Sequence, residues 1–348
     1  MKSNRDQIAD AVDRLSLKLL RLHPDNLAIS EYNRMYLEKY LADFSFYMSL
    51  YTQLLQKALP KLHQPVSEST FIDYGGGCGM LSFLAKELGF KTIIYTDIYD
   101  VSVRDAQVIS DELNLEIGHF WCGDIGDVVN KINLQHIRPD LICSVDVLEH
   151  IYNLSGWFAS LAQIQGDFSL LFMTSANSAN PYVARRIKKM QRIAEYAGVE
   201  KTSGWKERDT HASFLSVREE LIRNEFPELE LREVKQLAAQ TRGLSKDDIL
   251  EAVNEYLQTG RISVGVDHPT NTCDPMTGNW VENLIDTEQL KKTIERNHLS
   301  VNITNSEYAY SRNKKLNLIK GILNFLIRCL GSRSLLLSPT YTLEVRRP

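Results

Sequence analysis

Residues 71–79 read Phe71-Ile72-Asp73-Tyr74-Gly75-Gly76-Gly77-Cys78-Gly79, an apolar run that ends on an acid and breaks into glycines before the helical pattern of Met80 to Leu88. A run apolar on both faces reads as a central parallel strand. A chain that turns straight from such a strand into a helix needs residues free of Cβ clashes, which the glycines supply. Bare amides and the helix N-terminus then face whatever lies above the strand end, so this is a ligand-binding loop. The spacing narrows the ligand. A dinucleotide fingerprint, G-x-G-x-x-G counted from Gly75, needs a glycine at position 80, where the chain has Met80.

What stands here is D-x-G-x-G-x-G, through Asp73, Gly75, Gly77 and Gly79. It resembles the first motif of class I (Rossmann-like) S-adenosylmethionine-dependent methyltransferases, in which the loop wraps the amino-acid end of the cofactor. Ile93-Ile94-Tyr95-Thr96-Asp97 is a second apolar strand ending in an acid, whose carboxylate can accept both ribose hydroxyls. Phe120-Trp121-Cys122-Gly123-Asp124-Ile125 ends a third with an acid that in the family meets the adenine amine, and Asp140 to Ile151 is similar to the family's fourth motif. Each piece alone is common in doubly wound sheets; the four in order are specific. The resemblance implies S-adenosyl-L-methionine as cofactor, held by Asp73, Tyr74, Gly75, Gly77, Gly79, Asp97, Ile98, Asp124, Ile125 and Asp146. It covers residues 70–182 closely and the C-terminal strands more loosely.

Alternating strand and helix over residues 66–175, with strands near 70–74, 92–96, 118–122, 140–145 and 168–174, predicts an α/β fold. Two late strands, Leu299 to Thr304 and Thr340 to Arg346, complete the family's doubly wound Rossmann-like seven-stranded sheet, the last strand antiparallel. Residues 1–65 form an N-terminal helical segment whose stripe of Tyr32, Met35, Tyr36, Tyr40, Phe44, Tyr47 and Tyr51 reads as core, with some of these tyrosines available to line a pocket. Residues 66–181 and 281–348 make the cofactor-binding domain, and the polar helical stretch 182–280 is a cap insertion between the fifth and sixth strands. From Leu316 to Leu330, Leu316, Ile319, Leu323, Leu326 and Leu330 recur against Asn317, Lys320, Asn324 and Arg328. This amphipathic helix reads as packing on the sheet, with a monotopic membrane or partner-facing surface as the alternative.

Composition sets the remaining bounds. The 348 residues suffice for a large domain with an insertion, and the net charge of -4 gives no global attraction to nucleic acid or an anionic membrane. Cys78, Cys122, Cys143, Cys273 and Cys329 form no C-x-x-C pair and read as reduced thiols. The N-terminus lacks a secretory apolar region and no segment approaches a bilayer span, so a cytoplasmic protein is expected. The cluster Arg185, Arg186, Lys188, Lys189 and Arg192 reads as a solvated helix face, with a phosphate or RNA-backbone contact as the alternative, and His268, Cys273 and Asp274 read as turn residues.

Methyl transfer from a sulfonium chiefly needs positioning, and a hydroxyl acceptor also needs a base or a metal. Asp146, Glu149 and His150, in D-x-x-E-H after the fourth strand, are the catalytic candidates, with His211 as a fourth. The bland alternative has Asp146 holding the cofactor while Glu149 and His150 cap a helix or bond to backbone. An acid, x, x, Glu-His and a distant His followed by x-x-Phe is similar to the metal-binding pattern of ubiquinone-pathway O-methyltransferases and of small-RNA 2′-O-methyltransferases. That resemblance implies Mg²⁺ or another divalent cation at Asp146, Glu149, His150 and His211, although Asp at 146 stands where those families carry Glu. The expected activity is O-methylation of a small-molecule acceptor. Two alternatives stay open: an NAD(P)-dependent Rossmann oxidoreductase, and a non-catalytic methyltransferase-fold binding module.

Overall fold

Each apolar run read from the sequence becomes a strand within a residue or two of its expected bounds. They are β1 (Thr70–Tyr74), β2 (Thr92–Asp97), β3 (His119–Cys122), β4 (Leu141–Val145), β5 (Ser169–Thr174), β6 (Ser300–Asn305) and β7 (Tyr341–Arg346). The computed structural model describes residues 3–199, 212–266, 268–311 and 313–347. The seven strands form one sheet in the order β3-β2-β1-β4-β5-β7-β6. The first five run parallel, and β7 lies antiparallel to both β5 and β6. This is the doubly wound Rossmann-like sheet expected, including its antiparallel last strand. Strand order reverses between β1 and β4, and in open parallel sheets the crevice at the carboxyl ends of such a pair is where ligands bind.

Two compact units make up the chain. The first comprises Met1–Leu148, Leu154–Ser175 and Thr287–Pro348, and the second Glu149–Asn153 with Ala176–Asp286. The first unit begins with α1 (Asn4–Leu19), α2 (Glu31–Ala42) and α3 (Phe44–Ala58). Its crossovers are α4 (Met80–Leu88), α5 (Asp100–Glu112), α6 (Ile125–Leu134) and α7 (Leu154–Leu161). Ile8, Leu15, Leu54 and Leu55 of the early helices lie in one core with Phe71, Phe83, Leu84 and Cys143. A polar clasp completes this packing. Asp105, fully buried on α5, accepts hydrogen bonds from the Ser30 amide (2.9 Å), the Ser30 hydroxyl and Asn33 Nδ2 (2.8 Å). Burial alone would raise its pKa, but these bonds and one from Arg104 hold it below the usual carboxylate range.

The second unit carries α8 (Pro181–Tyr196), α9 (Phe214–Glu225), α10 (Leu231–Gln240) and α11 (Lys246–Thr259). Its apolar core of Ile222, Leu237, Ile249 and Val253 is accompanied by a buried ion pair that the sequence did not reveal. Arg218 Nη2 lies 2.6 Å from Glu195 Oε1, Arg218 Nε donates to the Ala238 carbonyl at 2.7 Å, and Thr272 Oγ1 donates to Glu195 Oε2 at 2.7 Å. Along α8, Arg185, Arg186, Lys188, Lys189 and Arg192 are exposed while Val183 and Ile187 are buried, which is the solvated face expected.

The first unit resumes with α12 (Thr287–Arg296), and α13 (Lys314–Cys329) joins β6 to β7. Here the structure corrects the sequence reading. The polar edge of α13 faces the protein: Asn317 and Asn324 are hydrogen-bonded to the backbone of Ser311 and Tyr308. Most of its apolar residues are exposed. No helix among the described residues is long and apolar enough to cross a membrane.

Removing one partner of a buried ion pair strands the other charge in a low-dielectric interior. Arg218→Ala is expected to destabilise the second unit by about 3–5 kcal/mol, measured by urea unfolding followed by circular dichroism.

Candidate functional site

The turn from β1 to α4 takes only the residues between Tyr74 and Met80, and the backbone shows how. Gly75, Gly77 and Gly79 have φ of +72°, +53° and +83°, a region that L side chains rarely adopt. Their surroundings differ. A Cβ on Gly75 would stand 2.5 Å from Val147 Cγ2, and one on Gly79 2.7 Å from Phe83 Cζ. At Gly76 it would meet Tyr95 Cε2 at 2.5 Å and Asp73 Oδ2 at 2.8 Å. At Gly77 nothing lies within 4 Å. Three glycines are thus hemmed in by the protein's own side chains, and the fourth presents bare backbone to open space.

Hydrogen bonds hold this shape. Gly75 and Gly76 amides both donate to the Thr96 carbonyl, at 2.9 and 3.0 Å. The Gly77 amide donates to Asp97 Oδ2 (3.0 Å), and its carbonyl accepts from the Tyr95 hydroxyl (2.6 Å). Asp73 is 2 % exposed, and its Oδ2 accepts the Ser82 amide (2.9 Å) and hydroxyl (2.7 Å). Burial, opposed by these two bonds and aided by Asp97, pushes the Asp73 carboxyl up to about 7. The first acid of the motif therefore sits beneath the loop and braces it against the first turn of α4.

Asp97 is placed differently. Its Oδ1 accepts the Tyr99 amide at 3.0 Å while Oδ2 takes Gly77. These two backbone bonds, one on each oxygen, fix the orientation of the carboxylate beside the glycine loop. Ile98, next along, is 60 % exposed, a large apolar side chain standing in solvent. Asp124 is exposed and caps α6, its Oδ1 accepting the Asp127 amide at 3.0 Å, with Ile125 buried behind it. Tyr74 turns to the other side of its strand. Its hydroxyl accepts from Trp157 Nε1 at 3.0 Å, and burial pushes its pKa up to about 12.

At the end of β4, Asp146 is exposed with φ +55°. Its amide donates to the Met173 carbonyl (2.9 Å) and its Oδ1 accepts the Ser175 amide (2.8 Å), which holds this uncommon backbone in place. Burial raises the phenols of Tyr47 and Tyr51, and the Asp146 charge adds to both shifts. These tyrosines of the aromatic stripe thus share an electrostatic neighbourhood with Asp146. Asn33 and the Cys78 thiol, in contact at 3.5 Å, link α2 to the glycine loop. No spacing in the sequence marked Asn33, Ser82 or Asp105, because a buried polar residue is recognised by its partners and these are distant in the chain.

In the second unit, the Glu149 side chain is fully buried. His150 is exposed, with Nδ1 at 3.0 Å from the Trp280 carbonyl oxygen. A carbonyl only accepts, so Nδ1 is the donor of this bond, and whenever the ring is neutral its lone pair falls on Nε2. His211 lies outside the described residues. Among the described residues no group of three or more His, Cys, Asp or Glu could hold a metal ion. His268 and Asp274 serve turns, with His268 Nδ1 accepting the Thr270 amide at 3.2 Å and Asp274 Oδ1 the Met276 amide at 2.8 Å, whereas Cys273, expected in a turn as well, is buried in an antiparallel bridge with Trp280.

The methyltransferase domain model matches residues 40–228, more than half of the chain, and the chain belongs to this family. It is an S-adenosylmethionine-dependent methyltransferase, and both the oxidoreductase and the non-catalytic alternatives are set aside. No curated protein matches its sequence significantly. Among solved structures it is similar to an S-adenosylmethionine-dependent methyltransferase from Mesorhizobium loti, at 12% identity and TM-score 0.38 over 82% of this chain and 94% of that one. Another, from Archaeoglobus fulgidus, gives 11% and 0.37 over 84% and 91%. Magnesium protoporphyrin IX methyltransferase from Synechocystis PCC 6803, with bound S-adenosylhomocysteine, gives 14% and 0.36 over 86% and 81%.

Two predictions follow from the loop geometry. An unfolded aspartate ionises near pH 4, whereas folded Asp73 holds its proton up to about pH 7. Its contribution to stability is therefore fullest below pH 4 and is lost as the pH rises through about 7. Asp73→Asn, which keeps an acceptor for Ser82, is expected to flatten this fall, and the difference between the two melting-temperature profiles from pH 4 to 7 measures it. Gly77→Ala places a Cβ in the open space at a left-handed backbone. It is expected to cost about 1 kcal/mol of stability and to weaken S-adenosylmethionine binding more than tenfold, read by calorimetric titration.

Proposed function

We propose that this enzyme methylates a hydroxyl oxygen on a small-molecule acceptor by in-line transfer, with base assistance from its own side chains. The observation that carries this reading is the contact of His150 Nδ1 with the Trp280 carbonyl, which orients the ring and, in its neutral form, puts the lone pair on Nε2. When bound, S-adenosylmethionine supplies an activated methyl group, so the attacking oxygen needs orientation and loss of its proton. Asp97 would hold the ribose, the open backbone at Gly77 would meet the amino-acid end, and Ile98, Asp124 and Ile125 would receive the adenine. His150 takes the acceptor's proton, and Asp146 aids orientation at the end of β4.

A divalent cation at Asp146, Glu149, His150 and His211, as in the ubiquinone-pathway enzymes, rests on the spacing in the sequence and on the undescribed His211. The described donors do not form such a set: Glu149 is buried, and Asp146 Oδ1 is bonded to the Ser175 amide. No step is therefore assigned to a metal.

Transfer of labelled methyl to a panel of phenolic and other hydroxylated acceptors tests this reading. His150→Gln is expected to lower kcat by about 10²–10⁴-fold while leaving S-adenosylmethionine binding within about twofold of the original. Chelation is expected to leave activity intact. Activity abolished by chelator and restored by Mg²⁺ would replace the base-assisted route with the metal-dependent one, and transfer only to amines would overturn the oxygen acceptor. Asp97→Ala removes the anchor of Gly77 and the carboxylate assigned to the ribose, and is expected to weaken cofactor binding by at least about 100-fold in the same titration.

A further inference from the structure

Helix α13 is docked the reverse way from a helix that buries an apolar face in its own protein. Asn317 Oδ1 accepts the Ser311 amide at 2.9 Å, and its Nδ2 donates to the Ser311 carbonyl at 2.6 Å. Asn324 repeats the pattern on Tyr308, at 2.7 and 3.1 Å, and Lys320 Nζ donates to the Ala309 carbonyl at 2.7 Å. Positions 317, 320 and 324 share one face, so this polar edge fixes the rotation of the helix. The opposite side carries Leu318, Ile319, Ile322, Phe325 and Leu326, exposed by 72, 56, 57, 63 and 40 %. Scattered surface leucines are ordinary, whereas a contiguous stripe on a rotationally locked helix marks an interaction surface.

The charge around the stripe selects its occupant. From residue 308 to 343 there is no Asp or Glu, while Arg312, Lys314, Lys315, Lys320, Arg328 and Arg333 supply six positive charges in a chain whose net charge is -4. Glu307 engages Arg328 at 2.6 and 2.7 Å, and Lys320 points inward. Lys314 and Lys315 at the start of the helix and Arg333 just past its end remain exposed. A two-fold dimer through this face would set the same basic patch against itself. A bilayer containing anionic lipids instead offers an apolar interior to the stripe and negative headgroups to the flanking cations. The 16 residues of α13 are too few to span. We propose that α13 lies in the headgroup plane of an anionic membrane with its apolar stripe inward, making the protein a monotopic membrane-associated enzyme. This association is independent of the methyl acceptor.

Co-sedimentation of the full-length protein with vesicles tests the proposal. Binding is expected to an equal mixture of phosphatidylcholine and phosphatidylglycerol, at least about tenfold weaker to phosphatidylcholine alone, and falling with added salt. Combining Leu318→Ser, Ile322→Ser and Phe325→Ser is expected to lower binding by about tenfold or more, without changing S-adenosylmethionine affinity, because these side chains are exposed. Lys314→Glu with Lys315→Glu should weaken binding to the anionic vesicles selectively. Absence of binding to either vesicle, or binding unaltered in the triple variant, would overturn the proposal. So would a vesicle-inert protein whose dimer, seen by light scattering, dissociates in the triple variant, since the occupant would then be a second copy.

Discussion

The first unit depends on a strand turning into a helix with almost no intervening chain. Between Tyr74 and Met80 the backbone visits the left-handed region three times, and the neighbouring side chains Val147, Tyr95, Asp73 and Phe83 fill the space that Cβ atoms would need. Glycine is therefore imposed at 75, 76 and 79 by the side chains packed against them and at 77 by a left-handed backbone. Asp73 then ties the strand end to Ser82 in the first turn of α4, and Asp97 ties the adjacent strand to Gly77. A misplaced loop would move the second strand's carboxylate with it, so fold and cofactor geometry are one problem here.

Polar groups buried away from the loop fix the rest. Asp105 holds Ser30 and Asn33 and so sets the first helices against α5, and Asn33 in turn reaches Cys78 in the glycine loop. In the second unit, Arg218 and Glu195 do the equivalent work among α8, α9 and the 270s turn. Buried carboxylates without partners would cost several kcal/mol each, which makes these clasps specific for one arrangement of the helices. Helix α13 follows the same logic on the surface, where paired asparagines determine which face meets solvent.

Much of the sheet was legible because its signal is local. An apolar run such as Ile93 to Tyr95 ending in Asp97 needs no distant partner to be recognised, and the glycine spacing that argues against a dinucleotide loop is visible by counting. The second unit, α13 and the site's proton chemistry were less legible for the opposite reason. Periodicity showed that 316–330 was amphipathic but not which face turned inward, because that depends on backbone groups at 308 and 311 offering bonds to Asn324 and Asn317. Likewise D-x-x-E-H placed three titratable groups close in sequence. It could not show that Glu149 would be buried, that Asp146 would bond to Ser175, or that Trp280 would select the tautomer of His150. The role expected of Asp73 shows a finer limit: the motif identified the residue, while its partner Ser82 shows that the carboxylate serves the loop.

Calorimetric titration of the unaltered protein with S-adenosylmethionine, and in parallel with NADH, tests the central claim most directly. Saturable binding of S-adenosylmethionine at a single site, with no heat from NADH, is the predicted result. Saturable binding of NADH without binding of S-adenosylmethionine would contradict the account, since the open backbone at Gly77 and the fixed Asp97 carboxylate would then be serving a dinucleotide.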